Sequence, residues 1–198
     1  MTQLRVVVAD DEPIIRMDLR ELLEEEGCSV VGEAGDGVTL VSLARALKPD
    51  LALVDIKMPQ MDGLEAARIL VEEDICAVLL LTAYSQKELV NKAAEVGIHG
   101  YLVKPIKDSD IMPAISIAMA RFQELRGLKK KTEELSAKLE VRKVLEKAKG
   151  ILMKKYTISE EEAHRRILKA SMDSRKSIKD IADAIILNNS FFEEVKPA

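Results

Sequence analysis

The sequence has no tryptophan, and only 3% of its 198 residues are aromatic. Surfaces that stack unpaired bases on rows of aromatic rings are therefore excluded as its main binding mode. Its two cysteines, Cys28 and Cys76, are too few for a disulfide framework, and each lies in an apolar run that suits a buried thiol. Neither of the two histidines, His99 and His164, has a partner at metal-ligand spacing. No apolar stretch approaches the ~20 residues of a membrane helix, and the start MTQLRVVVAD lacks the basic-then-apolar pattern of a secretory signal. The expectation is a cytoplasmic protein with no membrane partner. Glycine and proline never cluster into a linker.

Charge is present in quantity but unevenly placed. Residues 1–120 hold 11 Lys+Arg and 21 Asp+Glu, a net of -10; residues 121–198 hold 19 and 13, a net of +6, which together return the -4 of the chain. An acidic front and a basic back point to two modules with different partners, the second suited to a polyanion.

The first 120 residues alternate between two periodicities. Short β-branched runs occur at 4–9, 28–32, 51–54, 77–81 and 100–103. Between and after them, helical spacing occupies Pro13–Glu26, Val38–Leu47, Gly63–Glu72, Gln86–Glu95 and Lys107 onward. Such alternation predicts a five-stranded parallel sheet covered on both faces, a doubly wound α/β domain whose ligands bind at the carboxyl ends of the strands. The glycine-rich Gly32–Gly37 segment fits neither a dinucleotide fingerprint nor a P-loop, and reads as the turn into the second helix.

Those strand ends carry the chemistry. Asp10 and Asp11 follow the first run, Asp55 ends the third, Thr82 the fourth, and Lys104-Pro105 the fifth. Converging carboxylates raise one another's pKa and call for a cation. Hard oxygen donors that retain waters and meet phosphate suit Mg²⁺. With a metal in place, an Asp55 oxygen can attack a phosphoryl donor, while Lys104 and Thr82 meet the phosphoryl oxygens.

The segments VADDE (8–12), LALVDIKMPQMDG (51–63), LLLTAYS (79–85) and GYLVKP (100–105) resemble the receiver domain of two-component response regulators. The resemblance implies a flavodoxin-like receiver with Asp55 as phosphoacceptor. It implies a Mg²⁺ site formed by Asp10, Asp11, Asp55 and the backbone carbonyl of Lys57. Thr82 and Tyr101 become the switch pair, and Lys104 the phosphoryl contact. It further implies a cis Lys104-Pro105 bond, with Lys57 and Tyr84 tuning the acyl-phosphate lifetime. The partner it implies is a sensor histidine kinase.

Beyond residue 120 the fifth helix continues. Leu125, Leu128, Thr132, Leu135 and Leu139 are spaced 3, 4, 3 and 4, a short a/d seam that predicts either a parallel dimer or a solitary amphipathic connector. The last residues read as three short helices. The first covers 141–156, the second begins at an Ser159 cap with Glu162 closing a capping box, and the third follows a Ser177 cap. From Asn188 the tail reads as frayed. A helix-turn-helix DNA reader is the competitor, but its recognition helix would expose Lys179 beside Asp180 and Asp183, a poor base reader.

Arg142, the AKGILM run (148–153), the EEAHRRILKAS run (161–171) and IKDIADAI (178–185) together resemble the ANTAR domain of antitermination regulators. That resemblance implies a three-helix module binding RNA stem-loops in a transcript leader, with Arg142, Lys149, Arg165, Arg166, Arg175 and Lys176 as candidate contacts. Gly150 would allow close approach of another backbone. The expected organisation is a receiver over 1–120, a helical connector over 121–140, and the RNA module over 141–198. Phosphorylation of Asp55 would drive homodimerisation and antitermination; the alternative is a DNA-binding regulator of initiation. No further enzymology is expected of the chain.

Overall fold

The computed structural model describes residues 3–83 and 96–194. Tyr84 and the expected helix over Gln86–Glu95 lie outside the described residues. The elements in chain order are β1 (Arg5–Ala9), α1 (Pro13–Glu25), β2 (Ser29–Ala34), α2 (Gly37–Leu47), β3 (Leu51–Asp55), α3 (Gly63–Glu72), β4 (Ala77–Thr82), β5 (Gly100–Val103), α4 (Asp108–Tyr156), α5 (Glu160–Ser174) and α6 (Ile178–Glu194). Two compact units divide at Leu128/Lys129.

In the first unit the strands form one parallel sheet in the order β2-β1-β3-β4-β5. This is the doubly wound fold that the alternation predicts. β3 and β4 are buried along their whole length, which is why they read as unbroken apolar runs. Successive side chains go to opposite faces. Val7, Ala52, Val54, Val78 and Leu80 pack with Leu40, Ala44, Ala67 and Leu70 of α2 and α3. Val6, Val8, Leu53, Leu79 and Leu81 pack with Leu19, Leu23 of α1 and Ile111, Ile115 of α4.

Local signals fix the helix ends. Pro13 opens α1, and Gly27 at φ 81 stops it. The Asp36 and Asp62 carboxylates cap α2 and α3 by accepting from Thr39 N–H and Glu65 N–H, each at 2.8 Å. The Lys104-Pro105 bond is cis. The Gly32–Gly37 segment departs from its reading as a turn. β2 continues through Ala34 because its backbone pairs with β1 at Val8↔Glu33 and Ala9↔Ala34, leaving only Gly35 and Asp36 to turn.

In the second unit, α4, α5 and α6 meet around Ala148, Ile167 and Ala182, with Val144, Leu152, Ile181 and Ile185 at the margin. Small residues let the helices approach closely, but the core they enclose is slight. Ser177 and Asp180 cap α6 reciprocally, Ser177 N–H donating to Asp180 at 3.2 Å and Asp180 N–H to the Ser177 hydroxyl at 3.1 Å. At α5 only half of the expected box forms. Glu162 N–H donates to the Ser159 hydroxyl at 3.2 Å, while the Glu162 carboxylate turns to Arg165 and Arg166. α6 also runs past Asn188 to Glu194, because no glycine or proline interrupts it and the weak propensity of Asn188, Asn189 and Ser190 costs less than ~1 kcal/mol each. Among the described residues, no helix is long and apolar enough to cross a membrane.

Candidate functional site

At the carboxyl edge of the sheet, Asp10 leaves β1 with its backbone held on both sides. Its N–H donates to Ala34 O at 3.1 Å, and its carbonyl accepts from Arg16 Nη1 at 2.7 Å. The Asp10 side chain is fully buried, and Oδ1 accepts from Glu12 N–H at 3.0 Å, so the acidic loop is fixed in shape. Asp11 is exposed beside it.

Asp55, at the end of β3, is 7% exposed, and its Oδ2 accepts from Lys57 N–H at 2.7 Å. The loop after it is returned to the strand by Gly63, whose N–H donates to Ile56 O at 2.9 Å. A Cβ at position 63 would lie 1.9 Å from Asp55 O, so only glycine permits this return. Gly37 makes a similar close approach on the other side of the loop, donating to Met61 O at 3.2 Å.

Lys104 reaches in from β5. Its ammonium lies 2.6 Å from Asp10 Oδ2 and 2.6 Å from Asp55 Oδ1. Burial pushes the Asp55 carboxyl above its ordinary range, Lys104 opposes that shift, and the nearby Asp10 adds to it. Burial alone would lower the Lys104 pKa, but the two carboxylates overrule it and raise it, so the ammonium stays charged. Asp11, Asp55, Lys57, Thr82 and Lys104 line one cleft of about 270 Å³. Thr82 is buried at the end of β4, and Lys104 N–H donates to its carbonyl at 2.7 Å. Tyr101, on β5, is 47% exposed.

Among the described residues, no group of three or more His, Cys, Asp or Glu stands preformed for a metal. Lys104 instead supplies the positive charge between Asp10 and Asp55. The oxygen donors that share the cleft are nonetheless the hard set that suits Mg²⁺.

In the second unit, Arg142, Arg165, Arg166, Arg175 and Lys176 are exposed. Lys149 is not. Its side chain is 9% exposed, and its ammonium lies 2.7 Å from Glu146 and 2.6 Å from Glu160. Glu162 receives both Arg165 at 3.3 Å and Arg166 at 3.1 Å. Arg175 occupies the left-handed cap of α5 at φ 56. A Cβ at Gly150 would meet nothing within 4 Å, so no backbone among the described residues makes the close approach expected there. Along α4, Leu125, Leu128, Leu135 and Leu139 are each about half exposed, an apolar row on the helix surface.

Comparison with known proteins accounts for both arrangements. A model of the response regulator receiver domain matches residues 6–116, and one of the ANTAR domain matches residues 133–186. The chain belongs to the response regulators. It is 46% identical over 182 residues to the transcriptional regulatory protein PdtaR of Mycobacterium tuberculosis, covering 92% of this chain and 89% of that one. The receiver superposes on the signal receiver domain of the response regulator NarL from the same organism with a TM-score of 0.57 at 34% identity, covering 61% of this chain and 98% of that one. It also superposes on the response regulator domain of Thermotoga maritima CheB with a TM-score of 0.56 at 27% identity, covering 60% and 98%. This response regulator thus joins a receiver to an ANTAR domain, within a regulatory family.

Of the described receiver residues singled out from the sequence, Asp11, Asp55, Lys57, Thr82 and Lys104 line one cleft, Asp10 is buried against Lys104, and Tyr101 is half-exposed on β5. Of the six candidate RNA contacts, five are exposed and Lys149 is not. Sequence reading missed Arg16 behind Asp10, although it follows the acidic pair on the first turn of α1. It also missed Gly63 behind Asp55, and Glu146 and Glu160 around Lys149. The i,i+3 spacing of Glu146 and Lys149 was the available signal for the last of these.

Proposed function

We propose that this response regulator is phosphorylated on Asp55 by a sensor histidine kinase and in that state pairs with a second copy to bind RNA stem-loops, so that a terminator does not form. The observation carrying this reading is the meeting of Asp55, Asp10 and Lys104 at one sheet edge, in a chain whose other half is a cationic ANTAR domain. Residues 1–120 act as receiver, 121–140 as connector, and 141–198 as RNA module.

In this reading an Asp55 oxygen attacks the phosphorus of a phosphohistidine. The P–N bond breaks, the imidazole leaves with its electron pair and takes up a proton, and an acyl phosphate remains. Asp10, Asp11, Asp55 and the Lys57 carbonyl would hold Mg²⁺, which when bound neutralises charge on the equatorial oxygens. Lys104 exchanges its Asp55 contact for a phosphoryl oxygen, Thr82 donates to another, and Tyr101 responds to that change. The exposed row Leu125, Leu128, Leu135 and Leu139 is then covered by the same row of a second copy. Two modules engage two hairpins and gain effective concentration. Arg142, Arg165, Arg166, Arg175 and Lys176 approach the phosphates, with Lys149 behind them. The protein acts in the cytoplasm, where transcripts are made.

Acetyl phosphate treatment should raise affinity for hairpin RNA over duplex DNA in a gel shift, and Asp55→Ala should abolish the increase. Equal affinity with and without phosphorylation would remove the switch from this account, and preference for duplex DNA would remove the RNA target.

A further inference from the structure

The most enclosed cation of the ANTAR domain is Lys149. Its side chain is 9% exposed, whereas Arg165 and Arg166 are 74% and 49% exposed. Its two carboxylate partners lie at the surface, with Glu146 and Glu160 54% and 64% exposed. The lysine stem is therefore covered while its head is closed over by acids from two helices. Glu146 belongs to α4, one turn before Lys149, and Glu160 is the first residue of α5. The Lys149–Glu160 bond at 2.6 Å thus bridges the turn that joins α4 to α5. A second tie spans the same turn, since the Arg166 guanidinium lies over the ring of Tyr156, the last residue of α4, at 5.7 Å from its centroid.

A phosphate contact needs a cation that faces outward, and Lys149 does not. We infer that Lys149 is a positioning residue: it pins the first turn of α5 to α4, so that Arg165 and Arg166 are presented to RNA in a fixed place. This inference rests on the RNA reading above. It reverses the sign expected of a nearby acid. If Lys149 touched phosphate, Glu160 would compete with RNA and its loss would tighten binding. If Lys149 positions α5, loss of Glu160 weakens binding although a negative charge has gone.

The test uses the full chain, phosphorylated with acetyl phosphate, and fluorescein-labelled RNA hairpins selected by the wild-type protein from a pool with randomised loops. Glu160→Gln should weaken binding by about two- to fivefold, the range of a part-exposed ion pair. Glu161→Gln makes the same charge change in the same turn and should not weaken it. Lys149→Met should cost nothing further in the Glu160→Gln background, and should leave the slope of log affinity against log salt unchanged. Glu160→Gln keeps the Lys149–Glu146 pair, so it carries the test even where Lys149→Met fails to fold by circular dichroism. Tighter or unchanged binding by Glu160→Gln overturns the inference. So does a fall of roughly one unit in the salt slope of Lys149→Met, the share of one phosphate. A wild-type protein that selects no hairpin and shows no salt-dependent binding overturns the RNA reading itself, and the positioning role with it.

Discussion

Lys104 Nζ and Asp55 Oδ1 lie 2.6 Å apart, and the same ammonium is 2.6 Å from Asp10. One lysine therefore offsets two buried carboxylates. Lys104→Met should destabilise the receiver by about 3 kcal/mol in urea titrations, because it strands the Asp10 charge. Asp55→Asn should be neutral or stabilise by up to about 1 kcal/mol, since it removes a charge that burial disfavours. The Lys104 pKa is raised on folding, so this stabilisation is fully present below its ordinary value of 10.5 and is lost as the pH rises through the folded value. A Lys104→Met protein as stable as wild type would contradict the arrangement.

His99 gives the opposite pH dependence. It is 3% exposed, its Nδ1 accepts from Val78 N–H at 3.0 Å, and its ring meets Phe122 edge-on at 5.1 Å. Burial depresses its pKa below 6.5, Arg121 adds to this, and Asp74 opposes it. Its stabilisation is thus fully present above 6.5 and is lost as the pH falls through 6.5 toward the depressed folded value. Unfolding titrations between about pH 7 and about pH 5.5 should show this slope in wild type and a flatter one in His99→Asn, whose amide oxygen keeps an acceptor for Val78.

The two thiols should be inert. Burial pushes Cys76 up to about 12 and raises Cys28 as well. Iodoacetamide at about pH 8 should label neither in the native protein and both in urea. Mass spectrometry of the native adduct decides the matter, and a rapid single addition would refute the burial.

Two glycines should respond in opposite directions to the same substitution. Gly63→Ala places a Cβ 1.9 Å from Asp55 O and should cost about 3 kcal/mol or more, together with phosphorylation of Asp55. Gly127→Ala meets nothing within 4 Å on a helix and should stabilise by about 0.5–1 kcal/mol. Thermal unfolding of the two variants separates them, and equal effects would show that the close approach at Gly63 is relaxed in solution.

The strand ends could be read from the sequence because β3 and β4 are buried on both faces, leaving their polar residues only at the termini. Asp55 and Thr82 stand out for that reason, and Lys104 because it directly follows the short run of β5. The length of β2 could not be read, since Gly32 and Glu33 lack strand propensity and are held by pairing with β1. The end of α6 was misjudged because Asn188 and Asn189 weaken a helix without stopping it. Exposure of the cations was the least legible feature. Lys149 and Lys147 look alike in the sequence, and only the fold around Glu160 separates them.

One consequence follows from how Asp10 is held. Its main chain is gripped by Ala34 and Arg16, and the Asp55 loop is anchored through Gly63. The β1 and β3 side of the cleft therefore behaves as the fixed jaw of a vice. Thr82, at the end of β4, and Lys104, just after β5, form the opposite jaw. Under the proposed phosphorylation of Asp55, the response is expected to pass through that side, and changes to β1 or α1 should alter how firmly the cleft is built without altering the direction in which it moves.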